Sequence, residues 1–167
     1  TIMLSFFGLG KSNAQKNKIP SEKTESAEKP KGIIGRYYEN ELPVIVKFVN
    51  ELPEKKIMSE LPFLTVISWK YDGTERNGMP LKEVNDRMII LEEAIEKSMD
   101  STELFTHVYS RTGNNLKELA YYSKSQKDFM EILNRTLEKH DSYPIEINFY
   151  EDKEWTEKYH HPDPKQK

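Results

Sequence analysis

Phe63-Leu64-Thr65-Val66-Ile67-Ser68-Trp69-Lys70-Tyr71 is the stretch on which the fold turns. It is rich in β-branched and aromatic residues, which suit a pleated, half-buried strand. Alternation puts Phe63, Thr65, Ile67, Trp69 and Tyr71 on one face, and Leu64, Val66, Ser68 and Lys70 on the other. Asp72–Gly78 then reads as a loop. Pro80 suits the first helical position, where its missing N–H is no loss. The helix runs to about Met99, with Val84, Met88, Leu91 and Ile95 as one apolar stripe. Glu92, Glu93 and Lys97 are expected on its wet side, with Glu93–Lys97 a favourable i,i+4 pair.

Outward from there the pattern continues. Leu104–Ser110 alternates as a strand, and Thr112-Gly113-Asn114-Asn115 offers the positive-φ residues a hairpin needs. Leu116–Tyr122 is the returning strand. Ser125 with Asp128 resembles a capping box. The helix it opens has Phe129, Ile132, Leu133, Thr136 and Leu137 on one face. A last strand carries Ile145, Ile147 and Phe149. This β-α-β-β-α-β order is the ferredoxin-like signature, an antiparallel sheet with two helices on one face. On the N-terminal side, Gly35–Tyr38 and Val44–Val49 read as a hairpin around Glu39-Asn40-Glu41, so N-terminal strands extend or flank that sheet. Asn50–Pro62 reads as a polar connection, and Asp152–Tyr159 as a last helical turn or a lid.

The expected organisation is one α+β domain over residues 33–162, with a tail over 163–167. Residues 16–32 are rich in Lys, Ser, Glu and Pro and are expected to be a disordered linker. Residues 1–15 admit two readings. Ser12 and Ala14 stand at the −3 and −1 spacing of a signal-peptide cleavage site, with Gln15 as the new N-terminus. A truncated signal peptide of this kind, its positive n-region missing, implies export to the periplasm or cell envelope. The alternative is an apolar tail on a cytoplasmic protein starting at Met3.

Charge and composition narrow the function. Residues 11–32 hold six Lys and three Glu and residues 1–10 no charge, so with a total of −3 the rest carries −6. An acidic domain is a poor nucleic-acid binder, since phosphate contacts need clustered Lys and Arg. It suits a basic protein partner. The absence of cysteine removes thiolate catalysis, disulfides and Cys-based zinc sites. No apolar run is long enough to span a membrane.

The histidines are His107, His140, His160 and His161, and they do not form a set of converging metal ligands, so no metal or other cofactor is expected. His107, expected on the outer side of the sheet, has no local nucleophile or acid beside it. No phosphate loop, nucleophile elbow or zinc-protease motif occurs. Aromatics are the better interaction candidates. Trp155 and Tyr159 are expected to fold back and cover the second face of the sheet.

From about Tyr37 to Pro162 the chain also resembles the bacterial domain-of-unknown-function family 695. The resemblance rests on Trp69-Lys70-Tyr71, on Asn77-Gly78-Met79-Pro80 and on Leu91-Glu92. It continues with Arg111-Thr112-Gly113, Tyr121-Tyr122, Leu133-Asn134 and Tyr143-Pro144-Ile145. It closes with Asp152-x-Glu154-Trp155-x₃-Tyr159, where Lys153 replaces a common Pro. The family brings no catalytic residue. Its occasional fusion to a domain like the B-type regulator of ribonuclease E implies, by analogy, protein binding.

These readings converge on a non-enzymatic, protein-binding domain of adaptor or inhibitor type. Its candidate interaction residues are Trp69, Tyr71, Arg111, Tyr122, Trp155 and Tyr159. For Arg111 the plain alternative is a cross-strand ion pair with Glu118. Two rival functions are an immunity-type inhibitor of a toxin or nuclease, and an enzyme with a pocket near His107.

Overall fold

Strand β1 (Gly32–Glu39) turns at Asn40 and Glu41 into β2 (Leu42–Val49), in the computed structural model that describes residues 32–49, 51–99 and 102–156. Both turn residues have positive φ, as a two-residue hairpin loop requires. The short helix α1 (Lys55–Glu60) follows, then β3 (Phe63–Lys70) and a 3₁₀ turn at Thr74–Arg76. Helix α2 (Lys82–Met99) leads to β4 (Phe105–Gly113) and β5 (Leu116–Ser123). Helix α3 (Gln126–Leu137) leads to β6 (Glu146–Glu151). The candidate signal peptide over 1–15, the expected linker up to residue 31, the expected tail over 163–167 and Tyr159 lie outside the described residues.

The strands form one antiparallel six-stranded sheet in the order β1-β2-β4-β5-β3-β6. The mixed α+β class is as expected. The ferredoxin-like topology is not matched, because strand count and order differ. The β1–β2 hairpin pairs onto β4 through Val44↔Gly113 to Phe48↔Tyr109 and carries the sheet two strands further. A third helix, α1, lies where a plain connection was expected.

Each sheet face has its own core. On one, Ile67 and Trp69 of β3 and Leu119 and Tyr121 of β5 meet Met88, Leu91, Ile95 and Met99 of α2 and Phe129 and Leu133 of α3. The apolar stripe read from α2 is thus the buried one. The capping residue of α3 is Ser125, whose Oγ accepts from the Asp128 N–H at 3.0 Å. The other face is covered by less chain. Leu64, Val66, Val108, Ala120 and Tyr122 are covered by Leu61 and Trp155, with Met58 of α1 packed alongside.

Two expectations fail for local reasons. Strand β4 carries one extra residue: His107 pairs with Tyr121, but Tyr109 pairs with Ala120, leaving Val108 as a bulge. The His107 ring therefore lies 5.1 Å from that of Tyr121, on the helix side of the sheet rather than outside. Glu92 is not on the wet side of α2. It reaches back to the sheet and pairs with Lys117; burial would raise its carboxyl, but Lys117, a hydrogen bond from Ser110 and the Lys47 charge together leave its pKa lowered.

Candidate functional site: a groove on the sheet face

The sheet face opposite α2 and α3 is only part-covered, and the uncovered part is a groove of about 570 Å³. Strand alternation selects its lining. From β3 come Leu64, Val66, Ser68 and Lys70; from β6 Glu146, Asn148 and Tyr150, with Glu151 at its end. Strand β5 gives Leu116 and Glu118, β4 gives Tyr109, and Asp152 and Thr156 wall one end. The volume is that of a ligand or side-chain site, with an apolar floor and a few polar groups.

The end wall is built by the closing motif. Asp152 N–H donates to Pro62 O at 2.8 Å, and the Tyr122 hydroxyl donates to Asp152 Oδ2. Asp152 Oδ1 accepts from both the N–H and the hydroxyl of Thr156. This turn, with Trp155 at φ 54°, swings the indole over the sheet. There it stacks on Tyr122, and its Nε1 donates to Met58 O and Leu61 O, each at 3.0 Å.

Charge in the groove is unequal. Four carboxylates line it against one Lys. Glu146 is paired with Lys70 at 3.2 Å, Glu151 with Lys153 at 2.8 Å, and Asp152 is held by the turn. Glu118 differs. Its side chain is 20% exposed, and among the described residues its one ion-pair contact is Arg111 Nε at 3.8 Å. Arg111 is committed elsewhere, donating from both terminal nitrogens to Glu39 at 3.0 and 2.7 Å. Its Nε has no hydrogen-bond partner among the described residues. Burial raises the Glu118 pKa; Arg111 opposes this and Glu39 adds to it. Glu39 itself is lowered, chiefly by its hydrogen bonds from Arg111.

Of the six residues proposed for interaction, the five that are described do not share a surface. Trp69 is buried under α2 and α3, beside Tyr143 and under the Arg87 guanidinium. Half-buried Tyr71 donates to Gly78 O at 3.0 Å, and burial pushes its phenol up to about 12. Tyr122 and Trp155 pack against each other at the groove's end wall. Trp155 thus covers the second sheet face as expected. Arg111 pairs mainly with Glu39 and only loosely with Glu118. Glu118 enters the sequence reading only as an ion-pair partner of Arg111, and Tyr109, Asn148 and Tyr150 are not among its six interaction candidates. The signal available was weak: each sits at a sheet-face position of an alternating strand, and only the pairing of distant strands assembles them.

The other motif residues knit one end of the sheet. Gly78 N–H donates to Gly73 O, Asn115 N–H to Gly78 O, and Gly73 N–H to Asn115 Oδ1, at 2.8 to 2.9 Å. Asn114 Nδ2 joins Arg111 on Glu39. Gly113, at φ 146°, passes β2 so closely that a Cβ would fall 2.2 Å from Pro43 O.

A smaller cavity of about 280 Å³ adjoins His107, lined also by Val49, Glu96, Met99, Thr102, Phe105, Thr106 and Tyr121. Among the described residues His107 Nε2 is buried without a hydrogen-bond partner. Burial lowers its pKa, against the opposing carboxylates of Glu96 and Glu92. Among the described residues no group of His, Asp and Glu is placed to hold a metal ion, and no helix is long and apolar enough to cross a membrane.

No curated protein and no solved structure matches the chain. Residues 38–161 match a family of unknown function, DUF695, a span that takes in the sheet beyond β1, the groove and the closing turn. The motifs, the hairpin end they knit and the Trp155 wall are therefore those of a DUF695 domain, and the chain belongs to that family.

Proposed function

We propose that the domain binds another protein, as an adaptor or inhibitor, and that the partner docks a basic segment in the sheet-face groove. The supporting observation is the groove itself: an apolar floor of Leu64 and Val66 rimmed by four carboxylates and one Lys. Such a site complements a cationic surface, which speeds encounter and fixes register. The acidic balance of the chain agrees with this. A basic toxin or nuclease is one partner of that chemistry, and an immunity-type role is the inhibitor form of the same reading.

The test uses the tagged full chain and a groove-filling variant, Asn148→Trp, at an exposed strand position. The expected result is a basic partner that co-purifies at low salt, is released at high salt and is absent from Asn148→Trp of unchanged melting temperature. Equal recovery with Asn148→Trp removes the groove from the reading. Recovery of no protein with either chain removes the reading itself.

One observation favours a second reading, that of an enzyme using His107 as a base: its Nε2 lies buried beside a cavity. A lowered pKa keeps such an imidazole neutral near pH 7. Should an activity be found, its survival in His107→Ala ends this alternative.

A further inference from the structure

We infer that the groove recognises one arginine side chain of the partner, with Glu118 as its carboxylate acceptor. The inference rests on the protein-binding reading above and deepens it. Glu118 is a mostly buried carboxylate lining a cavity, and no hydrogen bond to it is made among the described residues. The nearest cation, Arg111, is held by two hydrogen bonds to Glu39 and stays 3.8 Å away. A half-buried carboxylate without donors is a costly arrangement, relieved when a donor arrives. The other three carboxylates of the lining already have partners, so the incoming cation is directed to Glu118.

The rest of the lining fits a guanidinium better than an ammonium. Tyr109 and Tyr150 bring aromatic rings and Leu64 and Val66 an apolar floor. A guanidinium is planar, more weakly hydrated and stacks on aromatic rings, while its N–H groups reach a carboxylate in pairs. Asn148, on the same strand as Tyr150, adds an amide able to orient a peptide backbone or side chain.

The experiment is a titration of the ¹⁵N-labelled full chain with acetyl-Gly-Arg-Gly-amide, and in parallel with its neutral citrulline isostere and its Lys counterpart. The expected result is saturable movement of the Glu118, Tyr109 and Asn148 amide signals with the Arg peptide. Lys should bind more weakly and citrulline not detectably. Glu118→Gln should weaken Arg binding about tenfold or more, the size expected for a lost charge-assisted hydrogen bond. Should Glu118→Gln fail to fold, Asn148→Trp serves as the blocking variant. Equal binding of Arg and citrulline, full binding by Glu118→Gln, or shifts confined to other surfaces overturns the inference. If the Arg peptide fails while Asn148→Trp still loses a captured protein, arginine recognition falls and the protein-binding groove stands. If both fail, the groove reading falls with it.

Discussion

Tyr122 and Trp155 stack face to face, their ring centroids 3.8 Å apart and their planes 7° from parallel. Tyr122 comes from a central strand and Trp155 from the turn beyond the last strand, so the pair fastens the chain's closing segment to the middle of the sheet. The indole is fully buried and its N–H is satisfied by two α1-region carbonyls. The second core therefore depends on one side chain more than the first core does on any of its own.

Trp155→Ala should destabilise the domain by about 3–5 kcal/mol, the range for truncating a buried Trp. Urea unfolding followed by far-UV circular dichroism measures this. A loss below about 1 kcal/mol would mean that the closing turn is not a structural wall of the groove.

Glu39 and Glu118 should give opposite pH dependences. The Glu39 pKa is lowered on folding, so its contribution is present above the unfolded value, about 4.3, and is lost as pH falls through the folded one. The Glu118 pKa is raised, so ionised Glu118 weakens the fold at neutral pH, and protonation removes that penalty as pH falls through its folded value. Glu39→Gln is therefore less stable than the parent at pH 7, and Glu118→Gln more stable, with both differences shrinking toward about pH 4. Denaturant midpoints at pH 7 and pH 4 decide it. Matching signs for the two variants would contradict the assignment of Arg111 to Glu39.

His107 titrates in the same sense as Glu39 but in a higher window. Its pKa is lowered by burial, so the unfolded chain takes the proton first as pH falls through about 6.5. The parent should lose stability from pH 7.5 to pH 5.5, and His107→Phe should lose less. An identical slope in the two proteins would show that the ring is not sequestered against Tyr121.

Gly113 has no tolerated substitute. Its φ of 146° alone costs a non-glycine residue about 1–3 kcal/mol. A Cβ would also sit 2.6 Å from Val44 Cα, in the backbone of the neighbouring strand. Gly113→Ala should lower the melting temperature by well over 4 °C, about the shift that 1 kcal/mol gives in a domain of this size. A variant melting within 2 °C of the parent would argue against the close β2–β4 approach.

The periodic parts of this fold are legible in its sequence. Ile67 and Trp69 are buried against the helices, and Leu64 and Val66 on the far side, as the alternation of β3 implies. Met88, Leu91 and Ile95 face the sheet as their spacing implies. Such patterns report burial on one element, so they survive folding unchanged. What depends on pairing distant segments is not legible. Nothing local in Val44–Phe48 says that it pairs with β4. Helix α1 offers only Ile57 and Met58 as apolar residues, too few for a period. Glu118 reads as an ordinary strand-surface acid. It becomes a half-buried one because Ser68 of β3 and Arg111 of β4 flank it in register. The aromatics that draw attention in the sequence, Trp69, Tyr122 and Trp155, are interior residues.

Val108 acts in β4 as an inserted letter does in a message read two at a time. Side chains before it are read in one phase and those after it in the other. Tyr109 reaches the groove, and Arg111 comes beside Glu118, only because Val108 stands outside the pairing. Were Val108 paired in the ladder opposite Ala120, it and Ser110 would take their places and both larger side chains would turn toward α2. The chemistry of the groove is thus set by a residue that does not line it.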